Sequence, residues 1–202
     1  MRLAIFLLIL ACSVSPSFAT GYPDSDLIGV YFDTNADTNN DFVAASVPFF
    51  AYVIILYPTS GVWGAEFSFC AVVPEGKEGS LFQLDVQWPV GCPGSIDTEN
   101  LDFCSVGVSY ECAEELPQVN SIVIMMKFQF MLLEQMCVDF FLGPVVEQSI
   151  DDGLPAYFGD GGVVFPLALT NWPGLPVAIL NGGCGTVPSE SISFDRVKCL
   201  YR

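Results

Sequence analysis

The chain has 202 residues, six basic against 23 acidic, no histidine, and a hydrophobic share of 52%. A net charge of −17 repels nucleic acid and anionic lipid, and it draws divalent cations or basic partners. Without histidine, Ser-His-Asp and Cys-His catalysis, histidine-based zinc sites and the usual neutral-pH proton shuttle are excluded.

Residues 1–19 read as a secretory signal peptide, with Arg2 as the positive end, an apolar run over 3–11 and small residues at Ser17 and Ala19 before the cut. A rival site at Ile9-Leu10-Ala11-Cys12 partly resembles a lipobox and would put a lipid on Cys12. Nothing after residue 20 reads as a transmembrane span. Seven cysteines follow the leader, at 70, 92, 104, 112, 137, 184 and 199. Export makes disulfides their expected state, and the odd number leaves one over. Spacing suggests Cys104–Cys112 and Cys184–Cys199 as pairs without fixing them.

The expected domain is a β-sandwich over 20–181, followed by a tail over 182–202. Strands are expected at 28–32, 49–57 (closed by Pro58), 62–73, 81–88 (closed by Pro89), 101–110, 163–169 and 177–180, with turn-rich stretches between them. In 62–73, Trp63, Ala65, Phe67 and Phe69 share the inward face. Residues 145–162 read as loop.

The organising stretch is 121–143, SIVIMMKFQFMLLEQMCVDFFLG. A period of two places Ile122, Ile124, Met126, Phe128, Phe130 and Leu132 on one apolar face, with Lys127 and Gln129 in the middle of the other. With a second apolar run at 136–142, the simplest reading is an antiparallel hairpin at the centre of the sandwich. The fold expected is thus all-β: an Ig-like β-sandwich or jelly roll of about nine strands.

The order IGVYFD, an Asn/Asp loop, SGVWGAEFSF, VIMMKFQF, FFLGP and LPVAILNGGC resembles small exported bacterial proteins of unassigned function. The ending FDRVKCLYR is similar to the W-x-x-V-K-x-L-Y-R tail of that group, with Phe194 in place of the Trp. At the level of architecture, the strand order resembles cohesin-like and carbohydrate-binding sandwiches. Fold likeness of that kind does not itself confer function.

Asp33, Asn35, Asp37, Asn39 and Asp41 set oxygen side chains at alternate positions, as a calcium loop does. Thr38 replaces the expected glycine and Ala44 the bidentate glutamate, so Asp151, Asp152 or Asp160 would have to complete the shell. The bland reading of these residues is an Asx-rich turn. Trp172, in Asn171-Trp172-Pro173-Gly174, is the candidate ligand-binding aromatic, whereas Trp63 belongs to the core. Neighbouring carboxylates such as Glu114-Glu115 or Asp151-Asp152 are what a glycosidase would draw on. The basic tail, with Arg196, Lys198 and Arg202, reads as a sorting or docking tag.

The sequence therefore points to an exported, secreted or envelope protein that binds or assembles rather than catalyses. Its partner would be a protein or glycan outside the cytoplasm, or a second copy, with calcium as the one candidate cofactor. A carbohydrate-binding module marked by an aromatic row including Trp172 is the second reading. A glycoside hydrolase with a deep acidic cleft is the third.

Overall fold

The computed structural model describes residues 24–92, 94–96, 106–172 and 174–184. The leader, Cys12, Cys104, Cys199 and the basic tail lie outside these residues.

In chain order the strands are β1 (Leu27–Tyr31), β2 (Asn40–Asp41), β3 (Pro48–Leu56), β4 (Gly64–Val72), β5 (Leu81–Gln87), β6 (Gly94–Ile96), β7 (Val106–Glu111), β8 (Ile122–Leu132), β9 (Val138–Gly143), β10 (Ala156–Phe158), β11 (Val164–Pro166), β12 (Ala168–Leu169) and β13 (Ala178–Leu180). Among the described residues the only helical pieces are short 3-10 turns, Glu78–Ser80 and Asp160–Gly162. The strands form two sheets. Sheet A has the order β12-β1-β3-β8-β5; sheet B runs β11-β10-β4-β9-β13-β2, with β7 also paired to β4 and β6 to β7.

Alternation builds the layer between the sheets. Phe49, Ala51, Val53 and Ile55 of β3 meet Phe67, Phe69 and Ala71 of β4 in one buried cluster. At its centre Phe69 of sheet B stacks on Phe128 of sheet A at 4.4 Å between ring centroids, with Phe130 and Phe140 close around it. Offset aromatic contacts of this kind add to the gain from area removed from water.

The expected central hairpin is not formed. β8 pairs with β3 and β5 in sheet A, whereas β9 pairs with β4 and β13 in sheet B. The turn between them crosses from one sheet to the other. Both runs are apolar because each supplies an inner face to the same core, and periodicity cannot separate that arrangement from a hairpin. The face assignment also fails at one end. Between Val53 and Ile54 the β3–β8 register slips by a residue, and Met125 is the extra one. Bulges reverse the pleat. Phe128, Phe130 and Leu132 therefore point inward as expected, but Val123 is buried and Ile124 is 37% exposed.

The stretch 163–169 likewise splits in two. β11 joins β10 in sheet B, β12 joins β1 in sheet A, and fully buried Leu167 marks the crossing. Within 145–162, read as loop, the short strand β10 pairs with both β4 and β11.

The cysteine pairs differ from those that spacing suggested. Cys92 bonds to Cys112, tying the chain after β5 to the end of β7. Cys137 bonds to Cys184, tying the β8–β9 crossing to the chain after β13. Cys70 is disulfide-bonded as well. Partners distant in sequence are brought together by sheet order, which spacing does not contain. No helix among the described residues is long and apolar enough to cross a membrane.

Candidate functional site

Two outer faces result from this packing, and they differ. On sheet A the pairing sets three rows across β3, β8 and β5: Pro48–Met131–Phe82, Phe50–Gln129–Asp85 and Tyr52–Lys127–Gln87. Their inward neighbours Ala51, Phe128 and Phe130 are in the core, so these rows face outward. A second bulge, between Gln83 and Asp85, makes Leu84 the extra residue of β5. Leu84 is 47% exposed and Phe82 45%. The Lys127 ammonium lies over the Phe50 ring at 4.0 Å from its centroid, a cation–π contact that holds the charge at the surface. At the upper end of the face a shallow hollow of about 330 Å³ is bounded by Tyr52, Trp88, Ile124 and Lys127, among others.

The β1 side of this face is closed. Gly29 has no side chain, and Thr170 lies where one would be: an added Cβ would stand 2.5 Å from its Oγ1. Tyr31 beside it is buried, and that burial pushes its phenol above the ordinary value. Among the described residues, the area left open is the three strands from β3 to β5, where Phe82, Leu84, Asp85 and Gln87 are exposed.

Sheet B is covered. Glu66 on β4 and Asp139 on β9 face away from the core, yet they are only 3% and 2% exposed. Glu66 accepts bonds from the Ser149 amide (2.8 Å) and hydroxyl (2.7 Å), which fasten the segment after β9 over the sheet. Asp139 accepts from the Cys184 amide at 3.2 Å, beside the disulfide to Cys137. Buried carboxylates are tolerated because donors satisfy them.

The residues singled out from sequence are not gathered into one site. Asp33 turns its carboxylate into its own loop, accepting from the amides of Asn35 (2.7 Å), Asp37 (3.2 Å) and Thr38 (2.6 Å). Burial alone would raise its pKa, but the hydrogen bonds, those from the Asp37 and Asn35 amides foremost, hold it below the usual carboxylate value. Asn39 donates to the Val177 carbonyl, and Asp41 accepts from the Phe42 amide. Among the described residues no cluster of three or more His, Cys, Asp or Glu side chains is placed to hold a metal.

Asp160 belongs to the opposite end of the sandwich. It binds Ser60 and the Trp63 indole N–H (2.9 Å), and that indole bond holds its carboxyl below the usual range. Next to it, Asp26 at the start of β1 accepts from Thr59 and from the Tyr157 hydroxyl (2.8 Å). The five residues of β1 therefore separate this cluster from Asp33, about 17 Å at strand rise. Trp63 is half-buried beside Asp160 rather than in the core, because Val62 takes the inward position.

Trp172 is 60% exposed in the loop after β12, beyond the far edge of sheet A from Trp88. With Trp63 opening β4 in the other sheet, the three tryptophans make no row. Glu114, Glu115, Asp151 and Asp152 are all exposed. Alternation in the sequence places Lys127 and Gln129 together on one face of β8, but nothing local joins Phe82, Leu84 and Asp85 to them, because β5 meets β8 only through long-range pairing.

No protein-family model matches the chain, and no curated protein matches it by sequence. Solved structures do match in fold. A type II cohesin domain from the cellulosome of Acetivibrio cellulolyticus is 11% identical with a TM-score of 0.54, the match covering 78% of this chain and 95% of that one. The sixth cohesin of scaffoldin B from the same organism, solved in complex with a dockerin, is 7% identical with a TM-score of 0.50, covering 78% and 98%. The architecture is a cohesin-like β-sandwich.

Proposed function

We propose that this protein is an exported, non-catalytic binding module that holds a partner protein through the outer face of sheet A. The carrying observation is the open area over β3, β8 and β5, where Phe82 and Leu84 stand exposed toward one end and Ile124 toward the other, with Lys127 between. Exposed apolar and aromatic side chains gathered on one open sheet face, with polar groups among them, mark interaction surfaces. The fold supports the reading, since a cohesin that shares it was solved bound to a dockerin. Export is supported by the leader-like first 19 residues and by the disulfides Cys92–Cys112 and Cys137–Cys184. The scattered tryptophans and solvated acid pairs lend nothing to a glycan platform or a hydrolytic cleft.

The test is side-chain footprinting of the oxidised protein in the presence of proteins exported by its own cell. Protection should fall on Phe50, Tyr52, Phe82 and Met131 and spare Trp172. Phe82→Ser should abolish it while changing stability by no more than about 0.5 kcal/mol, as an exposed position allows. Protection centred on Trp172, or hydrolytic turnover of a glycan, would sink the proposal.

A further inference from the structure

The open face of sheet A holds two opposite charges that the fold does not join. Asp85 lies opposite Gln129, and Lys127 lies opposite Gln87 one row along, so the two are diagonal neighbours across β5 and β8. Diagonal neighbours stand about 7–8 Å apart at Cα, within reach of a lysine. Lys127 instead leans the other way, over Phe50 of β3. Asp85 takes a hydrogen bond from Gln87 at 2.9 Å. An ion pair does form elsewhere, between Lys77 and Glu134.

The three rows of this face therefore carry one cation and one anion, net zero, on a chain whose net charge is −17. Two such acidic chains repel each other on balance, and a patch of this kind offers contact without like-charge contact. A two-fold interface is self-complementary: if residue i meets residue j, then j meets i. A two-fold axis lying in the plane of the face, midway between Asp85 and Lys127, sets each charge over its opposite in the other copy. The same axis passes near Gln87 and Gln129, so each glutamine meets its own copy, and amides both donate and accept. The strands of the two copies then cross steeply, as in orthogonal sheet packing.

We propose that the partner of this face is a second copy of the chain, in a two-fold dimer held by two reciprocal Lys127–Asp85 ion pairs across an apolar contact. The proposal rests on the reading of this face as a binding surface and names its occupant. Three strands by about nine residues span roughly 14 Å by 30 Å. Counted on both copies that lies below the standard interface size, and steeply crossed strands share only its middle, so the dimer is weak and forms only at high protein concentration.

The experiment is sedimentation equilibrium of the oxidised protein over a concentration series. The wild-type chain should dimerise reversibly. Lys127→Glu and Asp85→Lys should each weaken the dimer about tenfold or more, since each sets like charges against each other in both pairs. The double variant should restore it. So should an equimolar mixture of the two single variants, in which both pairs are again opposite in sign. Circular dichroism on each variant reports that it is folded, as these outward positions allow. A chain monomeric throughout, a dimer indifferent to either swap, or a mixture that fails to associate would overturn the proposal. If self-association fails while the footprint of an exported protein still depends on Phe82, only the choice of a second copy is lost. If both fail, the face itself is.

Discussion

On sheet B the outward carboxylates of Glu66 and Asp139 are engaged by Ser149 and Cys184, and chain lies over them. On sheet A the outward charges of Lys127 and Asp85 are engaged by an aromatic ring and a neighbouring amide, and no described segment is fastened over them. Both faces come from strands with one inward apolar row. The difference lies in what the outward polar groups bind. A carboxylate satisfied by the backbone of another segment closes a face, because its hydrogen bonds require that segment to stay. A charge held near the surface by an aromatic ring leaves the face available.

The largest expected effect comes from the layer that supports both faces. Phe69→Ala removes the ring that joins Phe128 and Phe130 of sheet A to sheet B. It should cost about 3–5 kcal/mol in urea unfolding with the disulfides intact, the range for a large buried aromatic. A loss near zero would mean that the two sheets do not share this core, and the contrast between their faces would have no common frame.

A smaller effect tests the cover itself. Glu66→Ala leaves the Ser149 amide and hydroxyl without their acceptor, and it should cost about 1–3 kcal/mol. Hydrogen exchange should speed up over 144–155 and stay slow in the β3–β8 ladder. Unchanged exchange over 144–155 would show that Glu66 does not hold the segment down. Outward positions on the two sheets should thus differ in what they do for stability, with Glu66→Ala costly and Phe82→Ser nearly neutral.

Much of the sandwich is legible in the sequence wherever a strand keeps strict alternation. Inward positions can be read in β4 and the second half of β8, where one face is wholly apolar and the other is not. By contrast, β3 is apolar on both faces, and in β5 alternation would bury Phe82 and Leu84, which the bulge at Leu84 leaves exposed. Legibility stops where a local signal serves two geometries. Met125 looks like one more apolar residue, yet as the bulge it reverses Val123 and Ile124. The run 121–143 reads equally well as a hairpin and as a crossing between sheets. The candidate face is less legible still, because Asp85 and Lys127 are 42 positions apart in sequence and meet only through the β5–β8 register.

The loop at 33–41 is the case in which the bland reading of a motif and the sharp one are separable by a modest measurement. Asp33 uses its carboxylate as Glu66 does, on backbone amides, here those of Asn35, Asp37 and Thr38. Asp33→Ala should cost about 1 kcal/mol, the usual net worth of such bonds at a partly exposed turn. The sign with pH follows from the direction of the shift. The folded pKa lies below the unfolded value near 3.8, so the stabilisation is complete above that value and is lost as pH falls through the folded one. The gap in Tm between wild type and Asp33→Ala should therefore be full at neutral pH and close in acid. It should also be the same with calcium or with chelator, because a carboxylate already bonded to three amides has little left for a cation. A rise in Tm on adding calcium that vanishes in Asp33→Ala would reverse this order, making the alternate Asp and Asn oxygens a cation loop and their amide bonds the state it adopts when empty.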